Sequence, residues 1–354
     1  MIKENPKPET RNPKLKILVF NVNWLGDVLF STPAIGLIRK TYPTAFISCA
    51  VPPRCQEILQ GNPNLDEIII YDEDGIQRTF LGKLKFTLWL RKNKFNKAFL
   101  FHRSFTRALI LFLAGITERI GYRSKKRYFL LTEKIVPPKT DIMHRADYYL
   151  NIVTSYLKVS ELPSFKLDFF ISDKDKAGID KLLTDLDIKK DDFIVALNPG
   201  GNWLQKRWPK ENFAYLAKRL VENLKAKVII IGSEKDIPLA GDITALSGVG
   251  LINLCGRMNL KQSAALMQKI NVVVSGDSGP LHIAYASGVK VVGLYGPTSA
   301  LITGPYHTDK AGVIQKDVGC VIPCYEDKCT DLCCMKAITV DEVVACVNQI
   351  IKSV

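Results

Sequence analysis

The sequence predicts an α/β chain of two doubly wound domains, each a mostly parallel sheet with helices on its faces. Three observations carry that expectation. Short apolar runs alternate with segments of helical spacing, the pattern of open parallel sheets. The rhythm runs through the first half of the chain and then restarts. At 354 residues, the chain also exceeds what one hydrophobic core usually serves.

In the first half, residues 16–22, 45–51, 67–71 and 97–101 read as buried strands, continuous apolar runs of strand length. Between them, residues 34–40, 55–60 and 80–91 carry helical spacing, and 142–159 reads as a connecting helix. In the second half the strands are 193–197, 227–231, 249–254, 271–275 and 290–294, with helices over 210–224, 260–269 and 280–286. The polar, Pro-rich start MIKENPKPETRNPKLK is expected to be a flexible tail over residues 1–15. An N-terminal domain then covers 16–170, and a C-terminal domain covers 171–354 and closes with a helix. If the two face each other, ligands are expected in the cleft between them, beyond the C-terminal ends of the strands.

Composition is that of an ordinary globular protein, 47% hydrophobic and 24% charged. The start lacks the apolar core of a signal peptide, and the longest clean apolar run, around residues 108–116, is far short of the roughly 20 residues that span a bilayer. A cytosolic protein, in solution or resting on a membrane, is expected. Charge is more informative. Of 49 Lys and Arg and 35 Asp and Glu, residues 76–140 hold 16 basic residues against Glu118 and Glu133 alone, which leaves 33 of each sign elsewhere. Such a concentrated field favours a polyanionic partner: a phosphorylated lipid, an acidic membrane surface or nucleic acid. The alternative is a solvated basic face that aids solubility. Nucleic acid is disfavoured, because no recognised nucleic-acid motif is present and the aromatic residues are not spaced as a stacking platform.

Three turns at predicted strand ends carry chemistry. Asn23-Trp24-Leu25-Gly26-Asp27 follows the first strand, and the Asp27 carboxylate there suits a general base or a helix N-cap. The segment lacks the G-x-G-x-x-G pattern of dinucleotide binding. Asn198-Pro199-Gly200-Gly201, followed by Gln205-Lys206-Arg207-Trp208-Pro209, joins a Gly-rich turn to two cations, so Gly200, Gly201 and Lys206 suit a phosphate; a plain tight turn is the other reading. Ser275-Gly276-Asp277-Ser278-Gly279-Pro280-Leu281-His282 opens a helix whose N–H groups suit a phosphate or ribose hydroxyl. There Asp277 can accept from a sugar hydroxyl, while His282 either donates into the site or packs locally. Glu234, in Gly232-Ser233-Glu234-Lys235-Asp236, sits where a ribose diol could bind. The three turns of the second domain, those carrying Lys206, Glu234 and Asp277, together outline one nucleotide pocket.

Of nine cysteines, Cys49, Cys55, Cys255 and Cys346 read as core or near-core residues. The others form Cys320-x3-Cys324-x4-Cys329-x3-Cys333-Cys334, so that Cys320, Cys324, Cys329 and Cys333 could supply thiolates to a structural Zn²⁺; redox-labile thiols are the alternative.

Taken together, NWLGDVLFSTPAIGLIRKTYP, SFTRALILFLAGITERIGYRSKKRYFLL, NPGGNWLQKRWPKENFAYLAKRL, GSEKD, LCGRMNL and SGDSGPLHIAYASGVKVVGLYGPTS resemble the ADP-heptose–lipopolysaccharide heptosyltransferases. These are inverting glycosyltransferases of the GT-B fold, two Rossmann-like domains facing across a cleft. The resemblance runs from about residue 16 to 300, and the long SFTRALILFLAGI to RSKKRYFLL segment makes it most like the second heptosyltransferase of inner-core assembly. It implies heptose transfer from ADP-L-glycero-D-manno-heptose to a heptosyl-Kdo2-lipid A acceptor, at the cytoplasmic face of the inner membrane, with no metal cofactor. Asp27 would be the base and Lys206 would neutralise the departing diphosphate. Asp277, Ser278, Gly279 and His282 would hold the donor's phosphates and sugar, with Glu234 and Met258 near its nucleoside. Arg103, Arg119, Arg123, Lys125, Lys126 and Arg127 are the candidates for acceptor phosphates or carboxylates. Two rival readings remain: a transferase of this fold with another nucleotide sugar and acceptor, and a non-catalytic binder of acidic membrane or nucleic acid.

Overall fold

The computed structural model describes residues 15–138, 142–159, 166–324, 326 and 329–352; all but Leu15 of the expected tail lies outside them. The chain divides into two compact units, one formed by Met1–Pro138 and Ala146–Phe165, the other by Lys139–Arg145 and Lys166–Val354.

The first unit is built on six strands: β1 (Lys16–Phe20), β2 (Phe46–Val51), β3 (Glu67–Ile70), β4 (Lys97–Leu100), β5 (Glu118–Tyr122) and β6 (Glu133–Ile135). They lie in the order β3-β2-β1-β4-β5-β6 and every neighbouring pair is parallel, Val19 of β1 standing between Cys49 of β2 and Phe99 of β4. The second unit repeats the plan with β7 (Ile194–Asn198), β8 (Lys227–Ile230), β9 (Ile252–Asn253), β10 (Val272–Gly276), β11 (Lys290–Tyr295) and β12 (Ala311–Gln315), ordered β9-β8-β7-β10-β11-β12 and again all parallel. In each sheet the chain starts in the middle, winds outward, and returns to continue on the other side. The order therefore reverses between β1 and β4 and between β7 and β10, and loops leaving those strands part in opposite directions and open a crevice at their C-terminal ends.

All nine expected strands form, though the one read over 249–254 shrinks to the two residues of β9. Sequence reading missed β5, β6 and β12, and missed the helices Phe105–Leu113, Asp173–Asp185 and Ile237–Ser247. β6 and β12 are edge strands with no fully buried residue among those described, so they lack the apolar run that marks a central parallel strand. The connecting helix expected over 142–159 forms as Arg145–Leu157, and the expected closing helix is Val340–Lys352.

On one face of the first sheet, Phe86 and Leu90 of the Phe80–Asn93 helix, Leu111 of the Phe105–Leu113 helix and Leu130 of the Lys125–Leu130 turn share a core with Leu18, Phe20 and Leu100. In the second unit, Phe213, Leu216 and Leu220 of the Lys210–Leu224 helix and Val343, Val347 and Ile350 of the closing helix pack on Val195, Val228, Val274 and Val292. Trp208 joins these layers. It is 3% exposed, meets Phe213 edge-on at 5.0 Å, and donates its indole N–H to the Ile338 carbonyl at 2.9 Å. Pro209 next to it is the N-cap of the Lys210–Leu224 helix, so burying Trp208 also sets where that helix starts. Among the described residues no helix is long and apolar enough to cross a membrane.

Trp208→Ala is expected to lower the stability of the second unit by about 3–5 kcal/mol, through the cavity and the lost hydrogen bond. A urea titration followed by far-UV circular dichroism checks this, and an unchanged midpoint would contradict it.

Candidate active site

In the second unit the site residues gather at the reversal between β7 and β10. Lys206 belongs to the short turn Leu204–Lys206 that follows β7, and Asp277 comes directly after β10. Lys206 Nζ donates to Asp277 Oδ2 at 2.7 Å, and its ammonium also lies 5.3 Å from the centre of the Trp203 ring. The backbone must approach closely for this: a Cβ on Gly276 would sit 2.7 Å from the Lys206 carbonyl oxygen. Asn198, the last residue of β7, donates to the hydroxyls of Ser275 at 2.8 Å and Ser278 at 3.0 Å, tying the two strand ends together.

Asp277 is almost wholly buried. Its Oδ1 has no hydrogen-bond partner among the described residues, although His282 Nε2 lies 3.4 Å away. Burial alone would raise this carboxyl; His282 and Lys206 beside it more than offset that and hold it below the ordinary aspartate value. Burial pushes the His282 imidazole down to about 4, against the pull of Asp277. Near neutral pH His282 is therefore uncharged, and the standing countercharge to Asp277 is Lys206. Ser278 and Gly279 begin the helix Gly279–Ala286, with Ser278 as an N-cap whose side chain makes no capping bond, so the first N–H groups of the helix face the same strand end.

The remaining donor candidates flank this point. Gly200 is packed so tightly that a Cβ there would meet the Asp236 carboxylate carbon at 2.5 Å, and Arg207 donates to the Gly201 carbonyl at 2.9 and 2.6 Å. Asp236 in turn accepts from the backbone and hydroxyl of Ser233 at 2.9 and 2.7 Å, fixing the turn after β8 that carries exposed Glu234. Half-buried Met258 follows Gly256, whose N–H donates to the Gly232 carbonyl at 3.0 Å, so the turns after β8 and β9 are joined.

In the first unit Asp27 lies in the first turn of the helix Leu25–Phe30, just beyond β1. It is not the N-cap; Trp24 is. Instead its Oδ1 accepts the Tyr149 hydroxyl at 2.9 Å, which leaves the carboxylate half-exposed and fixed in orientation. Beside it, Arg107 is 1% exposed and donates to the Asn21 carbonyl, to Asn23 Oδ1, and to Glu73 at 2.7 Å. Burial by itself would raise the Glu73 carboxyl, but the hydrogen-bonded Arg107 guanidinium holds it below its ordinary value. Sequence reading missed Arg107, Glu73 and Tyr149. A single arginine inside the apolar run RALILFLAG was the one signal available for Arg107, since a lone cation among apolar residues calls for a buried partner.

Of the acceptor candidates, Arg103, Arg123, Lys125 and Lys126 are exposed. Two are corrected. Arg127 is wholly buried and spends its guanidinium on the Tyr122 carbonyl, at 2.9 and 2.5 Å, and on the His102 carbonyl, at 2.7 Å. Arg119 clamps the carbonyls of Leu130, at 2.6 Å, and Ile116, and stacks over Phe112. Both spend their guanidinium groups on backbone carbonyls of their own unit.

The clustered cysteines do come together. Cys320, Cys324, Cys329, Cys333 and Cys334 line one small cavity beside Gln205 and Gly296, and the Cys320 thiol is raised above its ordinary value by its hydrogen bond to Cys333. Among the described residues, however, no group of three or more His, Cys, Asp or Glu side chains is arranged to hold a metal ion. Cys49, Cys55 and Cys255 are buried and Cys346 half-buried, as expected.

Residues 84–334 match the family described as glycosyltransferase family 9 (heptosyltransferase). The chain belongs to glycosyltransferase family 9. It is 30% identical to lipopolysaccharide heptosyltransferase 2 of Salmonella typhimurium over 323 residues, covering 86% of this chain and 89% of the relative. The solved structure of ADP-heptose LPS heptosyltransferase II from E. coli is 26% identical, with a TM-score of 0.76 and 95% and 98% of the two chains covered. A family 9 glycosyltransferase from Veillonella parvula, 23% identical, shares the fold with a TM-score of 0.86 over 96% and 98% of the two chains. The expected fold, two Rossmann-like units of the GT-B kind, is thereby established.

In this family 9 enzyme the buried histidines make stability depend on acid. His282 and His102 are both pushed down to about 4 by burial, from an ordinary value of 6.5. Because the folded value is the lower one, each contributes stability that is full above about pH 6.5 and is lost as pH falls toward about 4, roughly 3 kcal/mol for the wholly buried His282 and less for the half-buried His102. His282→Asn is expected to flatten the fall in the second unit's urea midpoint over that window. An unchanged slope would show that His282 is not buried as a neutral ring.

Proposed function

We propose that this enzyme transfers heptose, with inversion, from ADP-L-glycero-D-manno-heptose to the heptosyl-Kdo2-lipid A core, as a type II heptosyltransferase at the cytoplasmic face of the inner membrane. The observation that carries the reading is the Lys206–Asp277 pair at the β7/β10 reversal, its ammonium only part-buried and set beside a helix N-terminus. Ammonium and helix N–H groups together call for an anion. The diphosphate of a nucleotide sugar supplies it. The curated relative and the E. coli neighbour, by their names a lipopolysaccharide and an ADP-heptose enzyme, support the same choice.

Asp27 takes the proton from the acceptor hydroxyl as that oxygen attacks the anomeric carbon. The bond from that carbon to the diphosphate breaks on the opposite side, so configuration inverts and ADP leaves with the bonding electron pair. Lys206, whose ammonium has three donors and gives one to Asp277, turns another toward the leaving phosphate, and the N–H groups at Ser278 and Gly279 share the charge. Lys206 keeps Asp277 ionised, and the uncharged His282 packs beside it without competing for the phosphate. Gly200 and Gly201 give the diphosphate room near the backbone, while Glu234 and Met258 border the nucleoside. Tyr149 donates to Asp27 and so fixes the orientation of its carboxylate. Arg103, Arg123, Lys125 and Lys126 meet the acceptor's anionic groups. No step calls for a divalent cation, because cations and helix N–H groups carry the leaving-group charge.

Wild type is expected to transfer heptose from ADP-heptose to a mono-heptosylated lipid A core in EDTA, and Asp27→Ala to be slower by about 10²–10⁴-fold. Absence of wild-type turnover would overturn the donor–acceptor pair. Turnover by Asp27→Ala at the wild-type rate would overturn the base alone.

A further inference from the structure

We propose that the outer face formed by the Phe80–Asn93 helix, the Phe105–Leu113 helix and the Lys125–Leu130 turn is the surface by which this enzyme docks on an anionic lipid bilayer. This deepens the lipid-linked acceptor proposed above and rests on it for its biological sense, though not for its test.

The Phe80–Asn93 helix is apolar on two sides. Gly82, Phe86, Thr87 and Leu90 face the core, while Leu81, Leu84 and Leu88, spaced three and four apart, form a second apolar stripe that points outward. A helix apolar all round is normally covered all round. Here the outer stripe is exposed, Phe80 at its start by 78% and Leu81 by 66%. At 100° per residue, Arg91 falls on one flank of that stripe and Lys85 and Lys92 on the other, all exposed. That arrangement, an apolar band with cations along both edges, is what lets a helix lie in the headgroup region with its lysines reaching the phosphates.

The neighbouring elements continue the face. The three share one core, so they lie on the same side of the first sheet. On the turn, Phe129 is 67% exposed and its ring meets that of exposed Phe105 at 6.4 Å, with exposed Lys125 and Lys126 alongside. Isolated exposed apolar residues are ordinary, but a run of large ones across three adjoining elements is not.

Charge selects the occupant. From residue 76 to residue 117 there is no acidic side chain at all, and the one at Glu118 is engaged by Lys97 at 2.5 Å. The core of a protein–protein interface is poor in lysine, whereas this face is rich in it. A lipid surface that carries negative charge satisfies both the apolar stripe and its basic flanks, each cation adding to the attraction within a Debye length.

The test is flotation of the full-length enzyme with vesicles of phosphatidylethanolamine and phosphatidylglycerol, and with vesicles of phosphatidylcholine alone. Wild type is expected to float with the anionic vesicles only, and less in high salt. The double variants Leu84→Asp with Leu88→Asp and Lys85→Glu with Lys92→Glu should each bind at least about tenfold more weakly. Both should keep the wild-type melting temperature and the wild-type rate on a deacylated, water-soluble acceptor. Vesicle binding by either variant equal to wild type overturns the proposal. So does a wild type that ignores anionic vesicles, including the case where sedimentation shows the face buried in a dimer that Leu84→Asp with Leu88→Asp disrupts. Loss of wild-type turnover on the soluble acceptor would instead overturn the heptosyl-transfer reading, and vesicle binding is scored without it.

Discussion

Asp277 has a side chain 3% exposed, and the second unit is arranged around the need to give it a countercharge. Left buried and unpaired, such a carboxylate would cost about 3–5 kcal/mol. Lys206 meets the need from the turn after β7, and several features follow from bringing it there. Gly276 must lack a side chain because the Lys206 carbonyl occupies that space. Asn198 must bridge to Ser275 and Ser278, because two strand ends carrying a charge pair need a neutral clasp between them. The parallel order β9-β8-β7-β10-β11-β12 makes the meeting available, since only at the reversal do two adjacent strands send their loops apart.

The first unit solves a similar problem with other residues. Arg107, buried on the helix after β4, reaches the end of β1 at Asn21 and the segment after β3 at Glu73, and it lies over the rings of Phe20 and Tyr71 at 4.9 and 5.4 Å. A cation paired with a carboxylate thus marks the strand-order reversal in both sheets, the cation being the buried partner in the first and the carboxylate in the second. In the first, the pair braces the loop that leads to Asp27, and Tyr149 holds the carboxylate itself. The chemistry proposed for each unit differs, yet the same topology places it at the same point of the winding.

What the sequence made legible follows from where information is local. Central parallel strands such as β1, β7 and β10 are continuous apolar runs, and the turns after them carry Gly, Asp and Lys in recognisable groups, so their place in the fold could be read directly. β6 and β12 could not, because an edge strand needs few apolar residues. The basic run was read as one surface, and that was true for Arg103, Arg123 and Lys125. Arg119 and Arg127 stand in the same run but turn inward to satisfy backbone carbonyls, and nothing in a list of charges distinguishes a guanidinium that serves a ligand from one that serves a loop. Tyr149 was invisible for a different reason: its partner Asp27 is 122 residues away. The N-cap reading of Asp27 failed because the cap falls three residues earlier, at Trp24, which puts Asp27 in the first turn.

The central claim is that the Lys206–Asp277 pair is the anchor of a nucleotide diphosphate, formed by the fold and completed without metal. Titration calorimetry of ADP binding in EDTA, comparing wild type with Lys206→Met, tests it most directly. The account predicts measurable binding by wild type and at least about tenfold weaker binding by the variant, the loss of one charge-assisted contact to phosphate. Equal affinity in the two proteins would contradict it, because the ammonium paired with Asp277 at the strand-order reversal would then play no part in holding the diphosphate.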